Sequence, residues 1–341
     1  MAQNSVDELD LLIINCLQIR PRASWSVLGR VLDVDPVTVA RRWERLEAAG
    51  LAWVSCYFAL PHPDRVMAYL EIEVAGTQLT EVAEQLVRHQ EVVSVHHTTG
   101  SRSLVASVVG ADPAAVSHYV SDSLATLDGI AATRAEIVTG KYSDAGEWRL
   151  RALSPSQRDA LQAACPRPAA APGGGPASPE DQRIVRALAA NGRRSATDLA
   201  RQLGISEATA RRRLNRLVAE NRATFRCEIS QQVSGWPQTG ILWARAPVGA
   251  LDSVARTLSV LPVIRACLTT TGRSNLMLFA WLRDVRELHQ FERAVAQAAP
   301  EAEIIDRAFC LRSFKRLQVV LDDSGRTSGL PLPVEDQTEP V

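Results

Sequence analysis

The sequence predicts an α+β chain built from two tandem copies of one module, each a three-helix helix-turn-helix domain followed by a ferredoxin-like βαββαβ domain. Three observations predict it. Residues recur at an offset of about 171, as in Asp10 and Asp181, Leu17 and Leu188, Leu46 and Leu217, and Cys56 and Cys227. A stretch rich in Pro, Gly and Ala lies between the copies. Within each copy a helical period gives way to strand-like alternation. The offset drifts to 172 at Thr98-Thr99-Gly100 and Thr270-Thr271-Gly272, and to 174 at Ile130 with Ile304 and Lys141 with Lys315, as loop insertions would make it.

The elements follow in order. Leu9, Ile13, Cys16 and Leu17 carry a helical period, and Pro21 ends that helix. A short helix runs from about Ser26 to Leu32, with Ser24 as its cap, and Asp33-Val34 turns the chain. Asp35 and Pro36 open a third helix that reaches about Ala49, where Gly50 suits a left-handed stop. The second copy uses Ser206 and Glu207 at the start of this helix and Asn221 at its end. Strands are expected at 69–74, 92–98, 104–109 and 130–138, with helices at 79–89 and 113–127. The second copy places the same order at 240–246, 251–260, 264–270, 276–281, 284–298 and 304–311. Domains are therefore expected at 1–58, 66–150, 180–230 and 238–320, with a linker over 166–179 and a disordered tail over 322–341. Residues 157–165 could add a short helix before the linker. A four-stranded sheet with helices on one face needs cover on the other, which favours pairing within the chain or between chains.

The chain has 341 residues, of which 46% are apolar and 22% charged, and 38 cations balance 38 anions. This is the composition of a core-forming protein and excludes a globally basic nucleic-acid coat. No stretch approaches the ~20 apolar residues of a membrane span. The start, Met1 to Glu8, has neither a basic nor an apolar leader segment, so a cytoplasmic protein is expected. Six cysteines form no CxxC pair and have no His at ligand spacing, so neither metal nor cofactor is expected. No GxSxG, P-loop or HExxH occurs.

The third helix of each copy carries the functional signal. Val39, Trp43 and Leu46 form its packing face. Thr38, Arg41, Arg42 and Arg45 lie on another, and the second copy repeats the set as Thr209, Arg212, Arg213 and Arg216, with Arg211 added. Clustered guanidiniums require anions, and phosphates and guanine edges suit them. Thr38 and Thr209, near the helix starts, are expected at bases, and Arg45 and Arg216 at phosphates. Residues 20–55 hold six Arg against four acids, and residues 191–226 hold nine against three, so the second motif should have the steeper salt dependence. Double-stranded DNA is the expected partner.

This arrangement resembles the Lrp/AsnC family of transcription regulators. The resemblance is carried by Asp7-Glu8-Leu9-Asp10, Leu46-Glu47-Ala48-Ala49-Gly50-Leu51 and Thr98-Thr99-Gly100 in the first copy. In the second it is carried by Leu203-Gly204-Ile205-Ser206, Arg212-Arg213-Leu214, Leu217 and Thr270-Thr271-Gly272. It implies DNA binding, dimerisation through the sheet domain, often higher assembly, and a small effector, frequently an amino acid, near the mid-sheet turn. The candidate effector residues are then Thr99, Gly100, Ser101, Arg102 and Ser103, with Thr271, Gly272, Arg273 and Asn275. The family commonly has an acid in or just after this turn. Both turns here lack one, which puts an amino-acid effector in doubt and leaves Arg102 or Arg273 for an anionic ligand. Most members carry one module per chain, so this chain is expected to form an intrachain pseudo-dimer with two non-identical reading helices, and to assemble further. Some haem-biosynthesis decarboxylases share the fold and use His, and His96 and His97 precede the first turn. The second copy has Leu268 and Thr269 there, so no paired catalytic site follows and a non-enzymatic regulator is expected. A scaffold that has lost DNA binding is disfavoured by the retained Arg sets.

Overall fold

In a computed structural model of the chain, residues 6–58, 65–143, 148–166, 178–189, 191–220 and 222–328 are described. Helix α1 (Glu8–Ile19) opens with a capping box in which Asp7 and Asp10 each accept the other's backbone N–H. Helix α2 (Trp25–Leu32) is capped by Ser24, and α3 (Pro36–Ala48) by Asp35 with Pro36 at its first position. Ile13, Leu17, Leu28, Val39, Trp43 and Leu46 are buried together where these helices meet. The turn between α2 and α3 places Asp33 in the left-handed region at φ 54°.

In the second copy α7 (Pro179–Ala189), α8 (Ala196–Leu203) and α9 (Glu207–Ala219) repeat the unit, and Gly204, at φ 67°, makes the turn that Asp33 makes in the first. Asn221, the expected stop of α9, lies outside the described residues. Helix α6 (Pro155–Ala164) joins the first helical core through Leu161, and Asn15 and Gln18 of α1 accept the N–H groups of Leu153 and Leu150.

Two strands absent from the sequence reading tie the helical units together. Strand β1 (Ala52–Phe58) pairs antiparallel with β6 (Ala223–Ile229) along its whole length. The residues of β1 show no polar–apolar alternation because both faces are buried: on one face Val54 packs into the first helical core and Cys56 into the second, and on the other Trp53 packs with Val319 and Leu321.

The remaining strands form one closed ring. In the first module β2 (Val66–Val74), β3 (Val92–Thr98), β4 (Leu104–Gly110) and β5 (Ile130–Ser143) accompany helices α4 (Leu79–Arg88) and α5 (Pro113–His118), the latter continuing as a wider turn to Leu124. In the second, β7 (Gln238–Arg245), β8 (Ile264–Thr270), β9 (Leu276–Leu282) and β10 (Glu303–Arg316) accompany α10 (Leu251–Ser259) and α11 (Glu287–Ala298). Both last strands run well past their expected ends. The first part of β5 pairs with β2, and its continuation, Val138 to Ser143, crosses to β8. The first part of β10 likewise pairs with β7, and Cys310 to Lys315 crosses to β3. Among the described residues, eight antiparallel strands thus close with no free edge, which covers the sheet faces within the chain.

Inside the ring Tyr69, Val105, Ile241, Trp243, Leu268, Met277 and Phe279 form a shared core, and the helices pack outside on separate cores. The pairing also corrects the repeat. Val138 pairs with Thr270 as Cys310 pairs with Thr98, so the offset in the last strand is 172. Lys315 is accordingly the counterpart of Ser143, and Lys141 that of Ser313.

The expected tail begins with structure. Strand β11 (Val319–Val320) turns back on β10, and Thr327 donates its N–H to Gly50. Gly50 has φ +65°, and a Cβ there would lie 2.5 Å from the Thr327 carbonyl oxygen, so glycine is required twice over. Residues 329–341 of the tail and 167–177 of the linker lie outside the described residues.

Candidate nucleic-acid interface

The helix α2–turn–α3 unit sets the candidate reading helix by burying Val39, Trp43 and Leu46 at 0%, 2% and 0% exposure. This burial fixes where every other side chain of α3 points. Arg42 and Arg45 turn toward α1, where Asp10 is fully buried. Arg42 reaches Asp7 at 2.6 Å and Asp10 at 3.1 Å, and Arg45 also pairs with Asp10. Burial alone would raise the Asp7 carboxyl, but the Arg42 hydrogen bond and the Asp10 N–H hold it below the usual range.

The second module repeats this contact. Arg213 lies 3.3 Å and Arg216 2.7 Å from Asp181, which has a 2% exposed side chain. The anions that clustered guanidiniums require are therefore supplied by the start of the module's own first helix for two of the three arginines in α3 and two of the four in α9. The offset had already aligned Asp10 with Asp181, but its ion-pairing role was not read from the sequence. Arg41 and Arg212 remain exposed, Thr38 and Thr209 are half-buried, and Arg211 is exposed beside Glu207.

The two helical units are clamped by a reciprocal pair. Arg22 donates to the carbonyls of Gly192 and Arg194, and Arg193 donates to those of Pro21 and Ala23. Arg22 also lies over the Phe225 ring, and Arg193 over that of Trp25 at 3.9 Å. Below the β1–β6 ribbon, buried Glu228 meets Arg226, Arg265 and Arg316 from three strands. Burial would raise its carboxyl, and the surrounding guanidiniums bring it below the ordinary value. This buried cluster couples the ribbon to the ring; its members are scattered in sequence, so no spacing announces it.

The mid-sheet turns also sit on a seam between modules. Thr99 exchanges two hydrogen bonds with Phe309, donating its N–H and accepting on its hydroxyl, and Thr271 does the same with Ile137. Ser103 accepts from the Val74 N–H, and the Asn275 amide bonds both backbone groups of Ala246. Arg102 is buried, pairs with Glu71 at 3.1 Å and Asp306 at 2.8 Å, and lies 3.9 Å from the Trp243 ring centre. Gly100, Ser101, Gly272 and Arg273 face outward.

A carboxylate from the other module faces the second turn across the seam. Glu136 accepts from the Thr270 hydroxyl, and a Cβ on Gly272 would lie 2.6 Å from its Oε1. The counterpart of Glu136 at the first turn is Ala308, so the two turns differ in charge. His96 points inward and shares a hydrogen bond with Ser313, and burial beside Arg316 pushes it down to about 4. It adjoins a polar cavity lined by Gln231, Thr239, Cys310, Arg312 and Ser313.

Among the described residues, no helix is long and apolar enough to cross a membrane, and no group of three His, Cys, Asp or Glu could hold a metal ion.

Comparison with known proteins places these features. The AsnC-type helix-turn-helix domain model matches residues 6–47 and again 181–218, and the Lrp/AsnC ligand binding domain model matches 67–148. The HTH-type transcriptional regulator Ptr1 of Methanocaldococcus jannaschii is 31% identical over 112 residues, covering 33% of this chain and 76% of its own. An uncharacterized HTH-type transcriptional regulator of Pyrococcus horikoshii is 27% identical over 138 residues, covering 39% and 86%. Each of these matches spans about one module. Over both modules the fold is similar to that of the siroheme decarboxylase NirDL, with a TM-score of 0.60 at 14% identity, covering 94% of this chain and 96% of that one. At that identity the likeness concerns the fold alone. With the helix-turn-helix model matched twice and Ptr1 matched at 31% identity over 76% of its length, the chain belongs to the Lrp/AsnC family of helix-turn-helix transcriptional regulators, with two modules in one polypeptide.

Proposed function

We propose that the chain regulates transcription by placing α3 and α9 in successive major grooves of one DNA duplex. The observation that carries this reading is the equivalent exposure of Arg41 and Arg212 on two helices held at a fixed spacing by the β1–β6 ribbon. In a helix-turn-helix the second helix enters the groove, and half-site spacing follows from the distance between the two copies. Arg41 and Arg212, with Thr38 and Thr209, are assigned to base edges. Arg42, Arg45, Arg213 and Arg216 orient the helix through Asp10 and Asp181 and present their remaining donors to phosphates, and Arg211 adds a phosphate contact in the second module. A gel shift over a salt titration tests this. Binding that weakens steeply with salt and is lost in the Arg41→Ala, Arg212→Ala double variant supports it, and indifference to duplex DNA at low salt sinks it.

A small effector is assigned to the outward part of the two turns, Gly100 with Ser101 and Gly272 with Arg273. The Glu136 carboxylate at the second turn suits a ligand amino group there, whereas the first turn has no such group in that position. Assembly beyond one chain is assigned to the outer surfaces, because the ring consumes its own edges. Calorimetric titration with amino acids and light scattering test these two points.

We read the chain as a regulator without enzymatic activity. The NirDL complex structure contains an iron-uroporphyrin III analogue, and His96 beside the polar cavity is the feature here that would favour tetrapyrrole chemistry. His96 is already hydrogen-bonded to Ser313, is held neutral, and has Leu268 rather than a second His as its counterpart in the second module. An absorbance change on adding an iron tetrapyrrole would revive the enzymatic alternative.

A further inference from the structure

The faces of α3 and α9 that stay open after the internal ion pairs are chemically different. From this we infer that the chain selects a non-palindromic DNA site whose two halves are read by different base contacts. The inference rests on the DNA-binding role proposed above and specifies what each helix recognises.

The open stripe of α3 consists of Val37, Arg41, Glu44 and Ala48, all exposed and spaced by four, three and four residues, which places them on one side of a helix. The open stripe of α9 consists of Ala208, Arg212, Asn215 and Ala219, their counterparts at the offset of 171, and all are exposed. Two of the four positions are shared in kind: an arginine in the middle and an alanine at the end. The other two are not.

Val37 is 73% exposed at the second position of its helix, where a large apolar side chain gains nothing from the fold. Its methyl groups suit the C5-methyl of thymine, which lines the major groove. Ala208 offers the same contact with a shorter reach. Glu44 accepts a hydrogen bond from the amino group of cytosine and is repelled by phosphate, whereas Asn215 makes the two-point contact with adenine. Arg41 and Arg212 both suit guanine. The first half-site is thus expected to combine thymine, guanine and cytosine on the contacted edges, and the second guanine and adenine with a weaker preference for thymine at Ala208.

The charges divide the work further. The second helix adds exposed Arg211 beside its stripe, while Glu44 lowers the charge of the first. The second module therefore contributes more of the salt-dependent affinity and the first more of the discrimination. The ribbon fixes both helices in one body, so each must meet its own half-site in a set order and the complex has a direction on DNA.

The test is selection of bound duplexes from a randomised pool with the full chain and with a Val37→Ala, Glu44→Asn double variant. This variant makes the stripe of α3 copy that of α9, and both substituted side chains are exposed. Wild type should enrich a site with two unlike halves. The double variant should enrich a symmetric repeat of the α9 half-site and bind that repeat at least about tenfold more tightly than wild type does. A palindrome selected by wild type, or the same site selected by both proteins, would overturn the inference while leaving DNA binding intact. Recovery of no duplex by wild type would remove the regulator reading, and the inference with it.

Discussion

Arg22 and Arg193 occupy equivalent positions and embrace across the module boundary, each bonding two main-chain carbonyls of the opposite unit and covering one of its aromatic rings. Every donor–acceptor pair in this contact has its mirror partner, so the two helical domains are locked in one relative orientation. Replacing either arginine by alanine should cost about 1–3 kcal/mol, since hydrogen bonds from a charged group into a partly buried site are among the stronger ones. Lysine should not restore the loss, because it lacks a planar fork to span two carbonyls. Urea unfolding of both variants and of the double variant measures this, and additive, sub-0.5 kcal/mol effects would show the clamp to be incidental.

Stability and DNA affinity should separate along α3. Arg45→Ala takes a guanidinium from the buried Asp10 carboxylate, which keeps its ion pair to Arg42, and is expected to destabilise the first helical unit by about 1–3 kcal/mol. Arg41→Ala removes an exposed side chain and should change stability by less than about 0.5 kcal/mol while weakening DNA binding at least tenfold. Paired thermal melts and gel shifts read both quantities. Similar losses of stability in the two variants would contradict the division of roles.

The left-handed turn residue is a natural stabilisation site. Asp33 adopts φ 54° where the second module has Gly204. Asp33→Gly should raise stability by about 0.5–1 kcal/mol, because relief of the Cβ strain exceeds the extra entropy of the unfolded chain. The complementary Gly204→Asp change should lower it. A calorimetric midpoint that falls in the first variant would refute the argument.

Acidity should act through two interior groups with opposite signs. Burial and the nearby Glu71 carboxylate push Glu136 up to about 7, against the Thr270 hydrogen bond and Arg102. From the ordinary value near 4.5 up to about 7, the folded chain keeps a proton that the unfolded chain releases, so this group makes stability fall as pH rises. Burial and Arg316 push His96 down from 6.5 to about 4, so in that window the unfolded chain binds the extra proton and stability rises with pH. The two contributions oppose each other where the windows overlap. Glu136→Gln should uncover the rising limb, giving a steeper increase of the urea midpoint between pH 4.5 and 6.5 than in wild type. Parallel curves would rule out a titrating Glu136.

Much of the fold was legible because the repeat could be checked against itself. Ser24, Asp35, Ser206 and Gly50 announce helix ends by local chemistry, and Val39, Trp43 and Leu46 announce a buried face by spacing. What stayed hidden depends on partners distant in sequence. Strand β1 carries no alternation because both its faces are buried, one by the two helical units in turn and the other by Val319 and Leu321, which lie more than 260 residues away in sequence. The extensions of β5 and β10 are paired by the opposite module, so no turn signal marks where the home sheet ends. At the candidate interface the arginine sets were visible, but their division into exposed and anchored members was not, since Asp10 and Asp181 read simply as helix-start acids. The ion pairs of buried Arg102, across 31 residues to Glu71 and 204 to Asp306, had no local trace.

Closure of the strand ring within one polypeptide also changes what evolution can do with it. In a symmetric dimer every substitution at the contact appears twice, so the surface must remain compatible with its own copy. Here each side is encoded separately, and a carboxylate such as Glu136 can face Gly272 while the mirror position holds Ala308. Covalent linkage also keeps the two halves at high effective concentration and prevents them from trading partners with related single-module proteins. The polypeptide can therefore specialise one half without retuning the other, and it responds as a single inseparable unit whatever its abundance.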